Sequence, residues 1–291
     1  MTPRVGTLVC FWDYDTQWGA DRSRSGGGPK QWGHLDFEYT EQLLEIHEQF
    51  GIPACFAVVG AAALAGSRPY HDPAQIRRIH RAGHEVASHS FHHDWLPGVG
   101  YAGLRETLRA SKAALEDCIG ERVSAFVPPF NQPFDHPQGL SFSRSERRLV
   151  KHERIDLGRL CDSLKQTGYE FCRVSYRPIL VRLAEHILGR AVNRPVEIEQ
   201  ISGIACLRTN TPGGFDGPAL DVLRRCAETG GIATVYGHPH SLHPPNPQGR
   251  EALTVFLRTA AELRRLGKLR VATPSSLLRN EVAELAARDM V

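Results

Sequence analysis

Three histidines lie within five residues of one another, at positions 89, 92 and 93. If the chain turned into a helix after His89, His89 and His93 would share one face of it. A carboxylate from elsewhere would then complete a two-histidine, one-carboxylate set, which zinc hydrolases and non-haem iron enzymes both use. His92 points about a third of a turn from its neighbour and is predicted to be neither ligand nor catalyst. The same spacing also arises by coincidence on helix surfaces, so the segment alone leaves both interpretations open.

A pair of aspartates near the start of the chain could supply the missing carboxylate. Asp13 and Asp15 are two residues apart, so in extended chain their side chains project to the same side. One could bind a metal ion while the other accepts a proton from an activated water molecule. The alternative is that these aspartates cap a helix or belong to a solvated turn.

Short apolar runs alternate with amphipathic segments from one end of the chain to the other. This order predicts a parallel α/β architecture, either a barrel or a doubly wound sheet. The predicted strands are "VGTLVCFWD", "PACFAVVG", "EVASH", "VSAFVPPF", "YEFCRVSY", "GIACLRTN", "IATVYGHPH" and the run beginning "KLRVA". The polar, glycine-rich segment "DTQWGADRSRSGGGPKQWGHL" is predicted to be a long loop. No linker or repeat interrupts the pattern, so residues 1–291 are predicted to form a single domain.

The residues that follow each strand of such a fold gather at one mouth of the sheet. Here they include carboxylates and imidazoles, namely Asp13, Asp15, His89, His238 and His240. No G-x-G-x-x-G, P-loop or G-x-S-x-G motif follows any predicted strand, which argues against a nucleotide cofactor and against a serine nucleophile.

The composition is that of an ordinary soluble globular protein, with 41% hydrophobic and 23% charged residues and a formal charge of +3. No basic block indicates nucleic-acid binding. The seven cysteines are scattered without a CxxC motif, which favours free thiols in a reducing compartment. No signal-peptide pattern begins the chain, and no apolar run approaches the roughly 20 residues of a membrane span. A cytoplasmic location is therefore predicted, while the oligomeric state stays open.

Several segments together resemble the NodB-homology polysaccharide deacetylases, which are related to carbohydrate esterase family four. The resemblance is carried by the aspartate strand, "LLEIHEQFGIPACFAVVG", "IRRIHRAGHEVASHSFHH", "LRASKAALEDCIG", "FVPPF" and "YGHPH", and it covers most of the chain. It implies a distorted (β/α)7-type barrel. It also implies a bound Zn²⁺, with another divalent transition metal as the alternative.

The resemblance assigns roles residue by residue. Asp13 is similar to the catalytic base of the family, and Asp15, His89 and His93 are similar to its metal ligands. His238 is similar to the late-strand general acid, and His240 is the alternative acid.

The resemblance also implies a substrate-binding and oxyanion-stabilising region. Backbone near Phe130 and Asn131 is expected to help stabilise an oxyanion. Tyr14, Trp18 and Trp32 flank or lie in the glycine-rich loop, where they could stack on sugar rings or simply pack the loop onto the barrel.

Two departures from the family pattern stand out. The family's third motif usually carries an arginine that steadies the catalytic aspartate, whereas Val127 occupies that position here. Arg173 and Arg208 are the candidate replacements. The fourth motif is not clearly readable, and "RTNTPGG" is its nearest counterpart.

The implied reaction is metal-assisted removal of an N-acetyl group from a small-molecule or carrier-linked amino sugar. Asp13 would take a proton from the attacking water, and His238 would protonate the departing amine. Two alternatives stay open: hydrolysis of non-sugar linear or cyclic amides, or a catalytically silent carbohydrate-binding protein, for which Val127 is the best support.

Overall fold

A computed structural model of the protein describes residues 5–23, 32–131, 156–174, 195–211, 213–246 and 249–280. Its strands are β1 (Gly6–Tyr14), β2 (Cys55–Val58), β3 (Glu85–Ser88), β4 (Ala125–Phe126), β5 (Phe171–Val174), β6 (Ile198–Ile201), β7 (Ile204–Arg208), β8 (Ile232–Gly237) and β9 (Leu269–Val271). Its helices include α1 (Thr16–Ser23), α2 (Trp32–Phe50), α3 (Pro73–Arg81), α4 (Leu96–Ile119), α5 (Leu157–Gln166), α6 (Gly217–Thr229) and α7 (Arg250–Arg265), and the last described residues, 274–280, are helical too.

The strands form one sheet in the order β6-β7-β5-β4-β3-β2-β1-β8, with β9 paired to the start of β1. Among the described strands, neighbours from β7 to β8 run parallel, and β6 pairs antiparallel with β7 on its outer edge. The sheet is curled into a half-barrel, so the prediction of a distorted α/β barrel is confirmed. The carboxyl ends of the parallel strands therefore meet at one mouth.

The segment after β7 bridges the two ends of the curled sheet. The Asn210 side-chain amide donates a hydrogen bond to the Ile232 carbonyl (3.0 Å), and its oxygen accepts one from the Thr234 amide (3.0 Å). Val196 and Ile232 exchange backbone hydrogen bonds nearby. The side chain of Asn210, the asparagine of "RTNTPGG", thus makes hydrogen bonds to the backbone of β8 like those of a neighbouring strand.

Alternation along β1 separates two apolar cores. Val9 and Phe11 face the barrel interior, where small residues of the neighbouring strands, such as Ala57 and Ala87, leave room for large side chains. The alternate residues, including Leu8, Trp12 and Tyr14, face outward and pack under the surrounding helices. Asp13 follows Phe11 on the inner face, at the mouth.

Local sequence signals set several helix boundaries. Asp72 caps α3 by accepting a hydrogen bond from the Gln75 amide (2.9 Å), and Pro73 is the first helical residue. Gly120 ends α4 in the left-handed conformation, with φ of 75°. None of the helices in the described ranges is long and apolar enough to cross a bilayer.

The loop prediction after β1 is wrong where the structure describes it. Residues Thr16–Ser23 form α1, and α2 begins at Trp32 rather than Asp36. Gly19 weakens the helical signal of α1, but the absence of a side chain there lets α1 pack directly on Asp15. Helices α5 and α6 and the edge strand β6 were not predicted. The irregular stretch "HPQGLSFSRSERRLVKHERI" lies outside the described residues.

Candidate active site

The strand ends bring the predicted acidic and imidazole side chains together at the mouth of the half-barrel. Asp13 lies on β1 and Asp15 directly follows it, while His89 directly follows β3. His238 follows β8, which pairs with β1. All but His238 are almost fully buried, and the His238 side chain retains 34% of its exposure. The imidazole of His238 is therefore the one at the opening.

Asp15, His89 and His93 form a compact trio. Asp15 Oδ1 lies 3.3 Å from His89 Nε2, and Asp15 Oδ2 lies 3.6 Å from His93 Nε2. One ligating atom from each residue lies within 4.8 Å of the others, which is close enough for a shared metal ion.

His89 and His93 approach each other across an irregular turn and not on one face of a helix, the arrangement considered from their spacing. Residues 89–93 form an irregular turn, and no helix begins until Leu96. Ser90 and His93 both adopt the left-handed conformation, with φ of 61° and 55°. Such backbone is uncommon outside glycine and is held by its surroundings. The Ser90 carbonyl accepts hydrogen bonds from the Gly60 amide (2.9 Å) and the Ser111 hydroxyl (3.0 Å).

Ser90 also caps this turn. Its hydroxyl accepts a hydrogen bond from the Asp94 amide (2.6 Å). His89 Nδ1–H donates to the Val127 carbonyl (2.7 Å), which fixes the tautomer and directs Nε2 toward Asp15. The Val127 backbone therefore serves the site although its side chain cannot replace an arginine.

The donor set of the trio fits a divalent metal ion. Asp15 Oδ1 and His93 Nδ1 are buried and make no hydrogen bond within the described structure. Burial lowers the pKa of His93 to about 4, so this imidazole is neutral near pH 7. Burial by itself would raise the pKa of Asp15, but the surrounding imidazoles of His93, His89 and His238 outweigh it and hold that pKa below its usual range. Neutral imidazoles and an ionised carboxylate are the ligating forms.

Asp13 forms a bidentate ion pair with Arg173 from β5, across the barrel. Arg173 Nη1 donates to Asp13 Oδ1 and Nη2 to Oδ2, each at 2.7 Å. The guanidinium is 1% exposed and lies over the rings of Phe11 and Tyr236. Burial favours the neutral form of Asp13, yet Arg173 outweighs this and lowers the pKa of the carboxyl. Asp13 is thus held as a carboxylate beside the trio of Asp15, His89 and His93.

Of the two arginines considered as replacements at Val127, only Arg173 reaches the site. Arg208 instead pairs with Glu199 on the edge strand β6, at 3.0 Å. The arginine that contacts Asp13 is therefore supplied by β5, which pairs with β4, the strand that precedes Val127.

The structure distinguishes the two histidines of "YGHPH". His238 Nε2 lies 4.0 Å from Asp13 Oδ2 and 3.7 Å from Asp15 Oδ2, facing the site. His240 Nδ1 lies 2.8 Å from Asp36 Oδ1, a carboxylate on α2. His240 is therefore engaged by a separate partner, and His238 is the histidine that faces Asp13.

The residues predicted to contact substrate fall into separate environments. Tyr14 is fully buried, and its hydroxyl donates to Gln75 Oε1 (2.7 Å), so its side chain packs within the fold, and its contact with substrate stays a prediction. Trp18 is half-buried against Tyr70 and His92, with ring centroids at 5.1 and 4.8 Å.

Two further predicted residues belong to the turn after β4. Phe130 has φ of 59°, and its ring contacts that of His93 with centroids 4.6 Å apart. Asn131 ends this turn, and its side chain lies outside the described part of the structure.

Comparisons with known proteins agree with this architecture. Residues 31–136 match the protein family described as "Polysaccharide deacetylase". The crystal structure of a protein from Mycobacterium smegmatis described as a polysaccharide deacetylase is similar, with a TM-score of 0.66 and 19% identity over 97% of this chain and 92% of that one. The Xyl-CE4 domain of a multidomain xylanase from the hindgut metagenome of Trinervitermes trinervoides is similar with a TM-score of 0.50 and 16% identity, over 96% of this chain and 92% of that one.

The resemblance to the NodB-homology polysaccharide deacetylases is thereby confirmed. Among individual relatives, a chitooligosaccharide deacetylase from Sinorhizobium fredii (strain NBRC 101917 / NGR234) is 31% identical over 93 residues, which are 32% of this chain. The match spans 40% of the length of that curated relative. The family match includes His89, His93 and Phe130, whereas Asp13, Asp15 and His238 lie outside its range.

Proposed function

We propose that the protein is a metal-dependent hydrolase that removes the N-acetyl group from an amino sugar. One observation carries this proposal. Asp13, held ionised by Arg173, lies beside the Asp15–His89–His93 trio, and His238 faces both from the open side.

Asp15, His89 and His93 would hold the metal ion, for which Zn²⁺ is proposed because imidazole and carboxylate ligands with open positions suit it. Such an ion, when bound, lowers the pKa of water and polarises an acyl oxygen. The chain contributes the ligands in their ligating forms and fixes His89 through the Val127 carbonyl.

Asp13 is proposed as the general base. Its carboxylate is ionised near pH 7 because Arg173 lowers its pKa despite burial. Arg173 donates to both oxygens, which fixes the orientation of the carboxylate when it accepts a proton from water.

His238 is proposed as the general acid that protonates the departing amine. An amine is a poor leaving group unless it receives a proton, so a positioned acid lowers the barrier to amide cleavage. The partly exposed imidazole of His238 lies between solvent and the two aspartates, where the leaving group of a bound amide would depart.

The similarity to a chitooligosaccharide deacetylase favours N-acetylated amino-sugar oligomers as the substrate class. Arg173 also weakens the hypothesis of a catalytically silent binding protein. The main support for that hypothesis was Val127 at the position of the family's arginine, and Arg173 contacts Asp13 instead of that arginine.

The test combines metal analysis with acetate release. Protein reconstituted with zinc is expected to bind one ion, and Asp15→Ala and His93→Ala variants are expected to lose it. Acetate release is then measured on a panel of N-acetyl sugars and on cyclic amides. Activity confined to cyclic amides, or zinc binding unchanged in both variants, would overturn the proposal.

A further inference from the structure

Asp36, on helix α2, is a buried carboxylate that the reaction scheme above does not use. It is 0% exposed. Its Oδ1 accepts a hydrogen bond from the His240 amide (3.0 Å), and His240 Nδ1, which also contacts Trp32 Nε1, lies 2.8 Å from the same oxygen. Its Oδ2 accepts one from the Thr16 amide (2.8 Å). An ionised carboxylate is costly to bury unless N–H groups surround it, and here the donors come from the first residue of α1 and from the segment after β8.

The Thr16 bond acts at the backbone that carries the aspartate ligand. Thr16 directly follows Asp15 and adopts a left-handed conformation, with φ of 56°. A threonine rarely adopts this conformation without external support. The hydrogen bond to Asp36 supplies such support and fixes the chain direction immediately after Asp15.

The His240 bonds act on the loop that carries the general acid. His240 is separated from His238 only by Pro239, and the two imidazole rings lie 5.1 Å apart. Farther along the same loop, His243 Nδ1 lies 3.0 Å from the Tyr39 hydroxyl, which is one helical turn beyond Asp36 on α2. The loop after β8 is thus docked along α2 by two successive histidines.

We propose that Asp36 is a positioning residue that fixes the metal-ligand side and the acid side of the site relative to each other. It does so through Thr16 for Asp15 and through His240 for His238. The role of Asp36 toward His238 rests on the proposed deacetylase function, in which His238 is the general acid. Its role toward Asp15 depends only on the binding of a metal ion.

The experiment compares D36N and H240A with E41Q. Glu41 is on the same helix, but its side chain is 37% exposed, and it contacts Arg78 and Gln75 on α3 rather than Thr16 or His240. Each variant is assayed for zinc affinity and for hydrolysis of two acetyl compounds. One is an N-acetyl amino sugar, whose amine must be protonated as it leaves. The other is an aryl acetate, whose phenolate leaves without a proton.

The expected results distinguish an effect on the metal side from an effect on the acid side. D36N weakens zinc affinity about 10- to 100-fold, the range for lost outer-shell partners of a metal site. H240A leaves zinc affinity within about twofold, since the Thr16 bond stays in place. H240A lowers kcat on the amide about 10- to 100-fold but kcat on the aryl ester less than about threefold. E41Q matches wild type in every assay.

Several results would overturn the proposal. Equal losses on amide and ester in H240A would indicate general damage rather than positioning of an acid. A loss in H240A as large as that in His238→Ala would make His240 itself the acid. Unchanged zinc affinity in D36N would show that Asp36 does not position the metal side. Should D36N fail to fold, the amide-to-ester ratio of H240A decides the proposal in its place.

The outcomes also separate this proposal from the proposed function. If wild-type protein released acetate from no N-acetyl compound, the deacetylase function would fail. The zinc affinities of D36N and H240A would still show whether Asp36 positions the metal side.

Discussion

Replacing Arg173 with methionine is expected to damage both stability and catalysis through Asp13. The Arg173 side chain is 1% exposed and makes two hydrogen bonds of 2.7 Å to the carboxylate. Removing one partner of a buried ion pair leaves the other charge uncompensated, which costs about 3–5 kcal/mol of unfolding free energy. The methionine fills part of the vacated space between Phe11 and Tyr236, so the missing charge dominates the loss.

The sign of the pH dependence follows from the pKa of Asp13. In the wild type Arg173 holds this pKa below its ordinary value despite burial. The ionised carboxylate therefore contributes stability above the unfolded pKa of about 3.9, and this is lost as pH falls through the folded pKa. Without Arg173, burial raises the pKa above the unfolded value. The stability difference between the wild type and R173M is therefore expected to grow as pH rises above about 4.

Catalysis is expected to change in the same direction. In R173M the base is protonated over part of the neutral range, so the acidic limb of kcat/KM moves to higher pH. Activity at pH 7 falls by up to the 10²- to 10⁴-fold that a positioned general base contributes, and it partly recovers at alkaline pH.

The assays are denaturant unfolding of metal-free protein at several pH values and a pH–rate profile of zinc-loaded protein. R208M is the matched control, because Arg208 pairs with the half-exposed Glu199 on an edge strand. Such a surface pair contributes about 0–1 kcal/mol. The reasoning is refuted if R173M unfolds like R208M at every pH and keeps the acidic limb of the wild type.

Two further predictions concern close packing and buried histidine. A Cβ on Gly19 would lie 2.4 Å from Asp15 Cβ, so G19A is expected to weaken zinc binding at least about tenfold, measured by competition with a chelator; unchanged affinity would contradict this contact. Burial lowers the pKa of His47 to about 3, and its Nε2 accepts a hydrogen bond from Trp12 (2.9 Å), so it is neutral in the fold. Its unfolded form binds a proton below about pH 6.5, so its contribution to stability is lost as pH falls, by about 2 kcal/mol at pH 5. H47Q should reduce the pH dependence of the unfolding free energy of metal-free protein, whereas H34Q, at an exposed position, should not. Equal slopes of unfolding free energy against pH in the two variants would contradict a buried, neutral His47.

Local signals predicted the strands and helix ends that carry the site, because each depends on residues close in sequence. A short apolar run marked β1, and the structure has helix ends at the capping residue Asp72 and at Gly120. The order of elements then placed Asp13, His89 and His238 at one mouth without any knowledge of their distances.

Long-range contacts account for most of what local patterns could not predict. Arg173 meets Asp13 because a half-barrel brings β5 opposite β1, and a sequence pattern alone does not separate it from Arg208. Each of the two is the one charged residue of an otherwise apolar strand, which made both arginines candidates. The convergence of His89 and His93 was predicted on a helical face, but hydrogen bonds from Gly60 and Ser111 hold an irregular turn instead.

Acetate release by matched wild-type and Asp13→Asn protein tests the central claim most directly. Both proteins are loaded with zinc and incubated with a chitooligosaccharide, and acetate and new free amine are counted together. The wild type is expected to release the two in equal amounts and to stop when the metal is removed by a chelator. Asp13→Asn should bind zinc but release acetate at least about 10²-fold more slowly. Equal rates in the two proteins, or release that persists without metal, would contradict a metal-dependent deacetylase with Asp13 as its base.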